Sequence, residues 1–120
     1  MRKKILVVDD DNAVRESLMN ALSYENYFPV GAANGEEGLA MIESQKPDLV
    51  LLDLNMPGVN GWEVLRRLRD DFRYRGRAVR VVVLSAQADP ESRDFALELG
   101  AASFFSKPVD LGELSRAVLP

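Results

Sequence analysis

The sequence predicts a doubly wound α/β domain, a five-stranded parallel sheet in the order 2-1-3-4-5 with a helix after each strand. Three observations carry this. Short apolar β-rich runs alternate five times with amphipathic stretches. Two runs, Leu49–Leu52 and Val81–Leu84, are apolar at every position, as strands covered on both faces must be. The second run contains Pro29, which has no N–H for a ladder bond and so belongs on an edge. A barrel would need eight strands, and an edge second strand is what the flavodoxin-like order requires.

In chain order, the strands are expected at Ile5–Val8, Tyr27–Ala32, Leu49–Leu52, Val79–Leu84 and Ser103–Phe105. The first helix opens at Asp11 or Asn12 and repeats Val14, Leu18, Ala21 and Leu22 at helical spacing. Asn34 with Glu37 opens the second, and Asn60 with Glu63 opens the third, whose stripe is Val64, Leu65 and Leu68. Asp89 with Pro90 at the first helical position opens the fourth, and Gly100 closes it. Asp110 with Glu113 opens the last, with Leu111, Leu114 and Val118 inward. Trp62 is expected in the core beneath the third helix.

At 120 residues the chain is one domain, residues 1–120, with no linker or repeat. Fifteen Lys and Arg against nineteen Asp and Glu give a net charge of −4, which disfavours direct binding to a nucleic acid. Arg66, Arg67, Arg69, Arg73, Arg75, Arg77 and Arg80 cluster, and read as a solvated helix face and loop. With no Cys and no His, disulfides, thiolate chemistry, imidazole ligands and histidine triads are all excluded. The basic start followed by Ile5–Val8 is too short in its apolar part for a signal peptide, and no apolar run approaches the ~20 residues of a membrane span. The expected location is therefore the cytoplasm, with no membrane partner.

In such a sheet ligands bind beyond the carboxyl ends of the strands, at the switch point between the first and third. Asp9, Asp10 and Asp11 follow the first strand, Asp53 the third, Ser85 the fourth and Lys107 the fifth. Singly, each has an ordinary explanation as a loop, turn or surface residue. Jointly they aim an acid cluster, a hydroxyl and an ammonium at one rim. Close carboxylates repel unless one is protonated or a cation lies between them, and an all-oxygen donor set favours Mg²⁺, with Mn²⁺ as the alternative. This equipment suits phosphoryl transfer to a carboxylate, with Asp53 as nucleophile and Asp9 and Asp10 on the metal opposite it.

The segments Ile5–Asp11, Asp48–Gly58, Val82–Ala86 and Gly100–Pro108 together resemble the receiver domains of two-component response regulators, over essentially the whole chain. The resemblance implies Asp53 as phosphoacceptor, and Asp9, Asp10, Asp53 and the backbone carbonyl of Asn55 around the metal. It further implies Ser85 and Lys107 on the phosphate and a cis bond between Lys107 and Pro108. Ser85 and Phe104 are the implied switch pair. They stand where Thr and Tyr are frequent, so any signal through Phe104 depends on burying its ring rather than on a hydroxyl. Ala102-Ser103 replaces a commonly acidic pair. The resemblance also implies that Asn55 and Gln87 tune dephosphorylation; as neutral amides they can orient a water but not take its proton.

The implied partners are a histidine kinase or phosphotransfer protein, or a small phosphate donor, and an output domain or protein that reads the helix 4/strand 5/helix 5 face. The resemblance also leaves room for a homodimer formed on phosphorylation. On this reading the chain is no enzyme beyond its own phosphorylation and dephosphorylation. Its short last helix reads more as a receiver cut from a longer protein than as a stand-alone receiver, which is the alternative. Two other readings are weighed against it. A receiver-like interaction module working without phosphorylation would be favoured by loss of an acid or the lysine, and none is lost. A haloacid-dehalogenase-type phosphatase needs a second acid where Asn55 stands.

Overall fold

The computed structural model describes residues 2–71, 74, 79–86 and 89–118. Five strands, β1 (Lys4–Val8), β2 (Phe28–Ala32), β3 (Leu49–Asp53), β4 (Arg80–Ser85) and β5 (Ser103–Ser106), alternate with α1 (Asn12–Tyr24), α2 (Gly35–Gln45), α3 (Gly61–Asp70), α4 (Pro90–Glu98) and α5 (Leu111–Val118). The sheet is parallel in the order β2-β1-β3-β4-β5. Pro29 lies on the edge strand, as its missing donor demands.

Each helix starts where its cap stands. Asp11 accepts from the backbone N–H groups of Ala13 and Val14, Asn34 from Glu37, Asn60 from Glu63, Asp89 from Ser92, and Asp110 from Gly112 and Glu113. These bonds satisfy donors that the first helical turn leaves without partners. Gly100 takes φ +108° just past α4, a conformation glycine adopts without strain.

One face of the sheet is covered by α2, α3 and α4 through Leu39, Ile42, Val64, Leu65, Ala96 and Leu99, and the other by α1 and α5 through Leu18, Leu22 and Leu114. The side chains of Leu111 and Val118, expected on that second face, lie outside the described part, as do Arg73, Arg75 and Arg77 of the basic run. Trp62 is only partly buried against the first face, because its ring turns towards α4. Among the described residues no helix is long and apolar enough to cross a membrane.

Three strands, β3, β4 and β5, each run one residue further at the carboxyl end than the apolar pattern suggests. Asp53 and Ser85 are the last residues of β3 and β4, not the first loop residues. Ladder pairing therefore holds both backbones, and their side chains are fixed by the sheet.

Candidate functional site

The β1–β3 register pairs Val8 with Leu52, so Asp9 and Asp53, the next residues, emerge side by side. Across β3 and β4 Asp53 pairs with Leu84, and Ser85 stands one residue further out; Ser85 in turn pairs with Ser106, followed by Lys107. Parallel strands carry all four side chains to one rim, where Asp9, Asp53 and Ser85 are 1%, 5% and 1% exposed.

Carboxylate oxygens of Asp9, Asp10 and Asp53 lie within 4.8 Å of one another. Opposite ligands of an octahedral Mg²⁺ stand about 4.2 Å apart, so three hard oxygen donors are already near the spacing such an ion needs. The group fits. Asp11, the third acid of the run, belongs to α1 instead: its Oδ1 accepts the N–H groups of Ala13 and Val14 at 2.9 and 3.2 Å.

Lys107 Nζ donates to Asp9 Oδ2 at 2.9 Å and lies 3.4 Å from Asp53 Oδ2. Its backbone N–H donates to the Ser85 carbonyl at 2.9 Å, tying the lysine to the hydroxyl's own strand. The Lys107–Pro108 bond is cis. The Asn55 N–H donates to Asp53 Oδ1 at 3.2 Å, which turns the loop after β3 back over the carboxylate. Gln87 lies outside the described residues.

Burial pushes the Asp53 carboxyl up; the Lys107 charge and the Asn55 N–H pull it down, the Asp9 charge pushes up again, and the net shift is upward. For Lys107, burial alone would lower the ammonium, but its bond to Asp9 and the charges of Asp53 and Asp9 outweigh that and raise it. A carboxyl with a raised folded-state pKa is penalised when ionised. The penalty is complete above the folded pKa and is relieved as pH falls through it. Asp53→Asn should therefore melt at a higher temperature than the parent chain in metal-free buffer at pH 7, and the gap should shrink as the buffer approaches pH 4. Melting curves in EDTA measure this; equal or lower melting of the variant at pH 7 would mean that Asp53 is not under strain.

Phe104 is 7% exposed and packs in the core face that holds Val83, Ala96, Leu99 and Ala101. Little ring is left to bury, so burial cannot be the whole of any change it undergoes. Sequence reasoning missed Arg15. Its Nη1 donates to the Asp9 backbone carbonyl at 2.7 Å while its Cδ passes 3.2 Å from where a Cβ on Gly31 would sit. A side chain that holds a main-chain carbonyl has no partner residue type to betray it.

The family described as response regulator receiver domain matches residues 5–119. Sporulation initiation phosphotransferase F of Bacillus subtilis is 36% identical over 118 residues, 98% of this chain and 92% of that protein. Response regulator MprA of Mycolicibacterium vanbaalenii is 43% identical over 114 residues, 95% of this chain but 48% of that protein, so the chain spans about half the length of this relative. Among solved structures, a response regulator receiver protein from Pseudomonas putida superposes with a TM-score of 0.89 at 34% identity, covering 98% of this chain and 96% of that one.

Proposed function

The chain belongs to the response regulator receiver domain family, and from that premise we propose that it is a Mg²⁺-dependent phosphorylation switch in which Asp53 is the phosphoacceptor. The observation that carries this is the placing of Asp53 beside two further carboxylates and within 3.4 Å of an ammonium. The whole of residues 1–120 forms the single switch domain.

An Asp53 carboxylate oxygen attacks phosphorus in line. An O–P bond forms, the bond from phosphorus to the donor's leaving atom breaks, and the electron pair departs with that atom, which takes up a proton. Asp9, Asp10, Asp53 and the Asn55 carbonyl would hold Mg²⁺, which when bound supplies positive charge against the phosphoryl oxygens. Lys107, anchored through its backbone to Ser85, moves its ammonium from Asp9 to a phosphoryl oxygen. The Ser85 hydroxyl donates to a second oxygen. Drawing Ser85 in shifts the outer end of β4, and with it β5, α4 and α5, where the groove bordered by Arg93, Leu97, Phe104 and Phe105 offers a surface for an output partner. Asn55 and Gln87 orient the water that later hydrolyses the acyl phosphate.

The donor is a histidine kinase, a phosphotransfer protein or a small phosphate compound. An open apolar groove of about 590 Å³ along Val14, Ser17 and Leu18 of α1, with Pro108 and Val109 opposite and Lys107 at its edge, gives a protein donor a seat next to the pocket. The domain works in the cytoplasm and makes no direct nucleic-acid contact. To test the assignment, the chain is incubated with acetyl phosphate and Mg²⁺ and its intact mass recorded. One phosphoryl group should appear, vanish in EDTA and be absent from Asp53→Asn; uptake by that variant at the parent level refutes the role of Asp53.

A further inference from the structure

The groove between α3 and α4 takes no part in the steps above. α4 buries Ala96 and, just past its end, Leu99, yet Phe95 is 53% exposed. Its ring stacks on Trp62 of α3, with centroids 5.3 Å apart and planes at 29°. The two rings line an open cavity of about 590 Å³, and none of the acid pocket's residues borders it. It lies on another side of α4 from the groove that Arg93 and Leu97 border.

Its α3 bank is lined by arginines, while its α4 bank is lined by Phe95 and Leu99, with acidic residues on the helix beside them. Arg66, Arg67 and Arg69 line the α3 side; Glu63 takes Arg66 and Arg67, and Asp70 takes Arg69, which leaves the bank with a net positive charge. On α4, Glu91 and Glu98 stand one turn before and one turn after Phe95, on its face of the helix. Both are exposed, and neither forms an ion pair with a described residue. Both helices return against parallel strands and so run in the same direction. The rings of Trp62 and Phe95 meet across the groove, and Arg66 and Glu98 each follow their ring by one helical turn.

We propose that this groove is where a second copy of the chain docks, in a two-fold dimer whose axis runs along the groove. The α3 helix of one copy then covers α4 of the other, the aromatic pairs meet at the centre, and Arg66 of each copy faces Glu98 of its partner. A basic and an acidic bank either side of an apolar floor are complementary to themselves when turned about such an axis, whereas a uniformly acidic or basic partner would satisfy one bank and be repelled by the other. A guanidinium has five N–H donors, so Arg66 can keep Glu63 and still bond Glu98. An aromatic centre with an arginine rim is the usual composition of interfaces. The contact rests on one groove rimmed by exposed charge pairs, so the dimer is weak, with a dissociation constant of about 0.1 mM, and weaker still in salt. It needs no phosphorylation.

Sedimentation equilibrium of the unphosphorylated chain tests this, over a range from about 10 μM to about 1 mM that brackets the expected constant. A reversible monomer–dimer equilibrium should appear. Trp62, the chain's only tryptophan, should change its emission in step with the dimer fraction. Phe95→Ser, Arg66→Glu and Glu98→Arg, each checked for an intact melting transition, should each weaken association about tenfold or more, the scale of a central interface contact. Combining Arg66→Glu with Glu98→Arg should restore it. A chain that stays monomeric throughout overturns the proposal. So does a dimer indifferent to Phe95→Ser or silent in Trp62 emission, or a double variant as weak as its parents.

Discussion

Gly61→Ala should destabilise the domain by about 3 kcal/mol, lowering its melting temperature by roughly 10 °C. A Cβ at position 61 would sit 2.4 Å from the Asp53 carbonyl oxygen and 2.5 Å from the Leu54 Cα. Both are backbone, so no side-chain rotation relieves the clash, and either α3 or the end of β3 must move. The same contact explains how α3 starts where it does: the Gly61 N–H donates to the Leu54 carbonyl at 3.0 Å, and a larger residue could not come so close. Gly58→Ala is the control. Gly58 has φ +74° with nothing within 4 Å of a Cβ, so only backbone strain of about 1 kcal/mol is at stake. Because the displaced strand end carries Asp53, Gly61→Ala should also take up phosphoryl groups more slowly from acetyl phosphate at temperatures where it is fully folded. Equal melting of the two variants would show that the β3–α3 junction yields freely.

That close packing was invisible in the sequence, where Gly61 looks like any residue after a helix cap. Asn60 announced the helix because capping depends on side-chain type; the clearance of Gly61 depends on the backbone at the end of the preceding strand. The same division runs through the molecule. Pro29 declared its edge position, and the acids, Ser85 and Lys107 were readable because parallel strands deliver their last residues to one rim whatever the details of packing. Where each head group rests was not readable. Asp11 looks like Asp10 in the chain, and only the N–H groups of Ala13 and Val14 divert it to capping. Arg15 serves a carbonyl and Phe95 stacks on Trp62, contacts that no local periodicity encodes. Phe104, read as a ring to be buried by switching, is already inside because the α4 side of the sheet closes over it.

Lys107→Met should lose most of the conformational response to phosphorylation, and its effect on stability should depend on the metal. Read as a contact for the phosphoryl group alone, Lys107 would be neutral towards folding. Its place 2.9 Å from Asp9 and 3.4 Å from Asp53 gives it a second task, as the cation that neutralises the acid cluster when no metal does. Met keeps most of the aliphatic length and removes the charge, leaving the buried Asp9 carboxylate without its ammonium. The loss is smaller than for a fully buried pair because the lysine side chain is 22% exposed: about 1–2 kcal/mol in EDTA. Millimolar Mg²⁺ should recover most of that, and the variant should bind Mg²⁺ more tightly than the parent because the competing ammonium is gone. Since the Lys107 pKa is raised on folding, its stabilisation is present below the unfolded value of 10.5 and disappears as pH rises through the folded one. The two metal-free melting curves should therefore converge at strongly alkaline pH. Phosphorylated variant and parent, compared by amide hydrogen exchange over β4, α4 and β5, separate the two tasks. A variant that still accepts the phosphoryl group but shows no change there has lost the coupling, whereas one with the parent's full response would leave Lys107 only its role as counter-ion.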